Sequence, residues 1–230
     1  MRWLLTIVLA VVGGFAGAAA WDFSGFGGGA TRDYLMAHPE VLPVAIDRYR
    51  LQQRQAQLAP VRAQLLTPFP GAVLGNPNGK VTLVEFSDYA CTYCRASVAD
   101  VQRLIAANPD LRVVVREYPI LRPESVAAAR MGLAAAEQGK YAAFHDAMYA
   151  LGPPSEATIG QAAQQAGIDL AAANRAIATG LFDSFLKTNI ALGGRIGIDG
   201  TPGWVVGDRI LDGAVGLATL SDAVQEARQS

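Results

Sequence analysis

Two residues separate the only two cysteines of this 230-residue chain, in Cys91-Thr92-Tyr93-Cys94. On a first helical turn that spacing lets the two sulfurs meet in a small, strained ring. The first sulfur also faces unpaired backbone N–H groups and the positive end of the helix dipole. Both effects favour thiolate over thiol. Motifs of this kind lower the first pKa from about 8.5 into a range of about 3.5–7.5. Cys91 is thus the expected nucleophile, and Cys94, pointing inward, the resolving thiol.

Other chemistry competes for the same pair. A structural disulfide closing so short a loop restricts little chain entropy and stabilises weakly. A metal site needs further ligands, and the two histidines, His38 and His145, lie far away in sequence. Two thiolates alone can hold Cu(I), a soft ion that tolerates low coordination. Redox chemistry is the reading taken forward, with Cu(I) at Cys91 and Cys94 as the alternative, and no cofactor is expected. His145 follows Phe144 in a helical stretch and reads as a packing histidine. His38 precedes Pro39 at a helix boundary and reads as exposed. Gly193-Gly194 is not a phosphate loop, because no strand precedes it and no Lys-Ser/Thr follows.

The elements that position the pair can be read from pattern. Val81–Phe86 is apolar and β-branched, a buried strand, and Cys91 to about Ala107 has helical composition. Leu111–Glu117 alternates like a second strand. Strand, helix, strand at this spacing is a βαβ unit with parallel pairing. From about residue 125 to 196 the chain is Ala-rich and strand-poor, dividing at 151–155, 167–169 and 179–180. Four helices are expected in this block, with Ser155 and Asp169 as caps. Strands then return, with Trp204–Gly207 and Arg209–Asp212 as a hairpin around Gly207-Asp208. A last helix runs from about Leu217 to Ala227.

Upstream, residues 67–79 are crowded with breakers, and a boundary is placed there. Thr31 to about Leu66 looks helical, with Thr31 able to cap it. Leu35, Leu42 and Tyr49 recur every seven residues. That stripe fits a helix packed on its own domain or one pairing with copies of itself. Residues 22–30 are Gly-rich and read as a mobile link. Residues 1–20 combine Arg2, an apolar run and the ending Ala18-Ala-Ala20. This is the pattern of a secretory signal cleaved near Ala20, with an uncleaved anchor helix as the alternative. Export implies an oxidising compartment, where a lone cysteine pair can be a disulfide.

Composition excludes several classes. With 51% hydrophobic and 17% charged residues, disorder is not the main state. A net charge of -1 argues against a nucleic-acid partner. Two cysteines are too few for a disulfide-stapled mini-scaffold.

Glu85-Phe-Ser-Asp-Tyr-Ala-Cys-Thr-Tyr-Cys94 followed by Gly200-Thr-Pro-Gly-Trp204 resembles the thioredoxin-fold DsbA-like proteins. Gly139–Asp146 is also typical of them, and the resemblance covers roughly residues 70–228. The segment Tyr34–Leu42 is similar to the N-terminal segment of the ScsC (suppressor of copper sensitivity) branch. The resemblance implies an α/β thioredoxin fold with an inserted helical block at about 125–196 and an N-terminal helical extension, 21–66. The DsbA-like domain would span 67–230. Members of the ScsC branch can trimerise through this segment, here residues 31–60, and act as disulfide isomerases.

Carried over residue by residue, Cys91 is the attacking cysteine and Cys94 the resolving one. Pro202 is the proline preceded by a cis peptide bond, and the Thr201 backbone pairs with an extended substrate strand. Glu85 is the buried acid, whose raised pKa would let it take the proton from Cys94. Thr92, Tyr93, Thr201, Pro202 and Trp204 would flank the substrate groove, although Trp204 equally suits the core. Strongly oxidising DsbA enzymes have Pro-His where this chain has Thr92-Tyr93. Losing that histidine removes a donor to the Cys91 thiolate and implies a milder oxidant. The expected function is an exported, periplasmic thiol–disulfide oxidoreductase of isomerase or reductase type. It would act on protein substrates and depend on a membrane redox partner. A monomeric DsbA-like oxidase, a Cu(I)-binding protein and a stalk-mediated assembly protein are the alternatives.

Overall fold

The computed structural model describes residues 2–23 and 29–229. The chain divides into two compact units, Met1–Gln52 and Gln53–Ser230. The first holds α1 (Arg2–Phe23), α2 (Gly29–Ala37) and most of α3 (Val41–Leu58). No described helix is long and apolar enough to cross a membrane. The Gly-rich link expected at 22–30 falls mostly on 24–28, outside the described residues. Thr31 lies inside α2 rather than capping it, because the helix already starts at Gly29. The helical stretch expected from 31 to 66 is divided at 38–40, where Pro39 removes a backbone donor. Leu42, Ile46 and Tyr49 are exposed on α3.

The second unit begins with the end of α3, a 3-10 turn (Ala59–Val61) and α4 (Arg62–Leu66). Leu58, Val61 and Leu65 are buried in one core cluster with Val84, Phe86 and Val114. Residues 53–66 therefore belong to the thioredoxin-like body, and the division falls earlier than the breaker-rich stretch at 67–79. That stretch instead carries β1 (Val73–Gly75), an edge strand that the density of Gly and Pro concealed. Arg116 fastens α4 from below. Its buried guanidinium donates to the carbonyls of Gln64, Leu65 and Thr67, the acceptors a helix leaves open at its C-terminus.

The sheet comprises β1, β2 (Val81–Ser87), β3 (Leu111–Glu117), β4 (Gly203–Val206) and β5 (Arg209–Asp212), in the order β1-β3-β2-β4-β5. β2 and β3 are parallel and joined by α5 (Thr92–Ala107), as the βαβ reading expects. The other pairings are antiparallel. Side chains alternate across β2. Val84 and Phe86 enter the cluster beneath the sheet, whereas Leu83 joins the larger cluster that holds both cysteines. Glu85 follows Leu83 in this alternation and so points toward the cysteines' side.

Five helices, not four, fill the inserted block: α6 (Pro123–Glu137), α7 (Tyr141–Leu151), α8 (Glu156–Gln165), α9 (Leu170–Ala178) and α10 (Leu181–Arg195). The unforeseen break is at Gly139, whose φ of 69° ends α6 inside an Ala-rich run. Ser155 and Asp169 cap α8 and α9 as expected. Gly193 lets α10 lie against Tyr118, since a Cβ there would stand 2.7 Å from the ring. α11 (Gly216–Ala227) closes the chain.

Candidate active site

The site is built where β2 ends and α5 begins. Cys91 is the N-cap of α5, with φ −79° and ψ 120°. Its sulfur accepts the Cys94 amide N–H at 3.2 Å, so a thiol occupies the place usually held by a serine or aspartate oxygen. Cys91 is 4% exposed and Cys94 wholly buried, and both are free thiols. From the opposite side comes Thr201, whose carbonyl oxygen lies 3.2 Å from Cys91 Sγ. The Thr201–Pro202 peptide bond is cis, as expected.

The two sulfurs are driven apart in acidity. Cys91 is held down to about 6, first by the hydrogen bond from the Cys94 thiol and then by the Cys94 and Tyr93 amides. Burial opposes this shift. Burial pushes Cys94 strongly up, helped by its bond to Cys91 and by the charge of Glu85. One thiolate and one proton-holding thiol is the asymmetry that a nucleophile and a resolving group need.

Glu85 is buried on β2 between Val115 of β3 and Trp204 of β4. Burial raises its pKa, against opposing pulls from His145 and from the Ser87 hydroxyl. Trp204 does not flank a groove. It is fully buried in the core, and its Nε1 donates to the Gly213 carbonyl at 2.9 Å. Pro202 is buried, whereas Thr92 and Tyr93 are exposed, Tyr93 by 66%.

Two acids carry more than sequence reasoning assigned them. Asp88 is buried, and its side chain accepts amide N–H groups from Ala90 (2.8 Å), Ile120 (2.9 Å) and Leu121 (2.9 Å). Its carbonyl accepts the Cys91 N–H at 2.9 Å. Asp88 thereby ties the loop after β3 to the approach of the cysteine motif and fixes the exposed apolar side chains Ile120 and Leu121 near it. The usable signal was an aspartate in a short loop, a position where such side chains collect backbone amides. Glu117 is the second. Tyr89 and Tyr141 donate to it at 3.0 and 2.8 Å, and burial raises it to about 8. Nothing in the alternation of β3 marked it as buried. His38 lies on the surface against Glu40. Among the described residues, no group of three or more His, Cys, Asp or Glu is placed to hold a metal.

Residues 82–225 match the family model for the DSBA-like thioredoxin domain, and residues 28–56 that for the copper resistance protein ScsC N-terminal domain. The chain belongs to the DSBA-like thioredoxin domain family. It is similar to a thioredoxin-like oxidoreductase from Silicibacter pomeroyi, 41% identical over 74% of this chain and 98% of that one, with a TM-score of 0.70. It is similar also to the catalytic domain of Proteus mirabilis ScsC, at 26% identity over 77% and 99% and a TM-score of 0.69. A Na(+)/H(+) antiporter NhaA from Salinispora tropica is 29% identical over 67% of this chain. The chain spans about a quarter of the length of that relative, 24%, and as little as 12% of other curated relatives it matches.

Proposed function

We propose that this protein is an exported thiol–disulfide oxidoreductase acting on protein disulfides through Cys91 and Cys94. The observation that carries the reading is the Cys91 sulfur seated as the N-cap of α5, bonded by the Cys94 amide and held near a pKa of 6. The Cys91 thiolate attacks a substrate disulfide. A Cys91–substrate disulfide forms, and one substrate thiolate leaves. Cys94 then gives its proton to Glu85 and attacks Cys91 Sγ. The Cys91–Cys94 disulfide forms, the second substrate thiolate leaves, and two electrons have passed to the substrate. In isomerisation a second substrate thiol attacks instead, and Cys91 returns as thiolate.

The isomerase or reductase direction is favoured by Thr92-Tyr93 between the cysteines, which supplies no histidine donor to Cys91. Turnover then requires an outside dithiol donor, which we place at the membrane. The match of residues 28–56 to an ScsC N-terminal domain supports assembly of several copies, as do exposed Leu42, Ile46 and Tyr49. Grouping active sites would let one copy hold a substrate thiol while another attacks. The pattern of residues 1–20 supports export. Cu(I) storage by the same two sulfurs is the second reading, favoured by the copper-resistance description of the N-terminal family.

The test compares a chain starting at Trp21 with one starting at Gln53, measuring mass by light scattering and recovery of a scrambled-disulfide protein. The longer chain should be oligomeric and isomerise. The shorter one should be monomeric and lose isomerisation while keeping dithiol chemistry. Two monomers that oxidise dithiols and never reshuffle would replace the isomerase with an oxidase. Stoichiometric copper uptake with no turnover would favour the second reading.

A further inference from the structure

Resolution by Cys94 leaves a proton on Glu85, and both groups are buried. This inference rests on the redox reading above and concerns where that proton goes. His145 on α7 lines the same cavity as Glu85. Its side chain is buried, with Nδ1 3.4 Å from an Asp146 carboxyl oxygen. Its Nε2 is buried and has no hydrogen-bond partner. A buried ring nitrogen without a partner costs free energy and calls for an explanation. The packing role expected from the sequence does not supply one, because a phenylalanine would fill the same space without that cost.

A cavity of about 210 Å³ lies beside the ring. Glu85 and His145 line it together with Gln102 and Asp146, and Val98 and Ile105 supply apolar wall. Gln102 and Asp146 are exposed and hydrogen-bonded to each other at 3.3 Å. The cavity therefore joins the buried carboxyl to the protein surface, and it is roomy enough for several waters. The other titratable groups facing His145 are Tyr89, from the loop after β2, and Tyr141 and Tyr149 on its own helix. Burial holds all three phenols protonated, so none competes for the proton.

We propose that His145 is a positioning residue that relays protons between Glu85 and solvent along this cavity. As Cys94 Sγ attacks Cys91 Sγ, the Cys94 proton passes to the Glu85 carboxylate. The Glu85 proton then passes to Nε2 of the neutral His145 ring, and the ring releases its Nδ1 proton to the cavity beside Asp146. Electrons stay within the disulfide exchange, and the relay runs backward when the protein is reduced. Imidazole suits the task because one ring nitrogen can take a proton while the other releases one.

The experiment is a single turnover of the reduced full chain with an oxidised dithiol peptide, followed across the neutral pH range. Wild type is compared with His145→Gln, Glu85→Gln and the double variant, and Cys91 alkylation is measured alongside. His145→Gln should slow resolution about tenfold, less than the roughly 10²–10⁴-fold of a group that acts directly as general acid or base, and leave the Cys91 alkylation profile in place. It should add nothing to Glu85→Gln. Asp146→Asn, a change at an exposed side chain, should slow resolution by a smaller factor in the same pH range, whether or not His145→Gln folds. A His145→Gln or Asp146→Asn protein that resolves at the wild-type rate at every pH overturns the relay. So does a His145→Gln change that slows the Glu85→Gln protein as much as wild type. If wild type itself forms no mixed disulfide, the redox reading falls and the relay falls with it.

Discussion

The Cys91 sulfur accepts the Cys94 amide N–H at 3.2 Å, so one atom both caps α5 and attacks the substrate. The bond favours the charged sulfur, and the acidity of Cys91 therefore depends on the helix staying formed. In the reduced protein, alkylation of Cys91 should rise with pH around a midpoint near 6 and then level off. Cys94 should stay unreactive throughout, being buried and pushed strongly upward. Because folding lowers the Cys91 pKa, its contribution to stability is present above the ordinary thiol value. That contribution is lost as pH falls through about 6. Two alkylation steps of equal rate, or one near the ordinary thiol value, would contradict this geometry.

The sequence disclosed this arrangement because its cause is local. A Cys-x-x-Cys pair between an apolar strand and an Ala-containing helix has few ways to sit, and β2, α5 and β3 lie where pattern put them. Burial of Glu85 was also expected, from a resemblance rather than from its neighbours. What stayed hidden depends on contacts between distant segments. Asp88 acquires its role from the amides of Ile120 and Leu121, more than thirty residues away. Glu117 is buried because Tyr89 and Tyr141 meet it from two other elements. Trp204 follows Pro202-Gly203 beside the site, but the pleat of β4 turns its ring into the core. Residues 53–66 read as part of a stalk because they are helical, and only the burial of Leu58, Val61 and Leu65 attaches them to the body.

Glu85 and Glu117 predict an unusual pH dependence of stability. Folding raises both pKa values, Glu117 to about 8, chiefly through burial. The folded state then binds more protons than the unfolded one between the ordinary carboxyl value and the raised value. Stability should fall as pH rises from about 4.5 toward 8. Glu117→Gln should flatten that decline and keep both tyrosine hydrogen bonds, which reach the same oxygen. Thermal melts of wild type and variant across this window check it, and equal slopes would count against a protonated Glu117.

Asp88→Ala should damage both fold and site. It leaves the Ala90, Ile120 and Leu121 amides without their acceptor. Lost hydrogen bonds of this buried kind cost about 1–3 kcal/mol each, partly recovered where water can enter. Chemical denaturation should show a loss of at least about 2 kcal/mol. Exchange with a protein disulfide should slow more than alkylation by a small reagent, because the Ile120–Leu121 loop is released while the α5 N-terminus remains. Equal slowing of both would mean that Asp88 shapes the cysteine motif alone.

The most direct measurement is to trap the covalent intermediate. Reduced Cys94→Ser protein is mixed with an oxidised model protein, and the product is resolved without reductant and mapped by mass spectrometry. The account predicts a stable one-to-one complex joined through Cys91 and dissolved by dithiol. It predicts none with Cys91→Ser and only a fleeting one with wild type, where Cys94 resolves it. A Cys94→Ser protein that forms no such complex while Cys91 remains freely alkylated would contradict the assignment of Cys91 as the nucleophile toward protein disulfides.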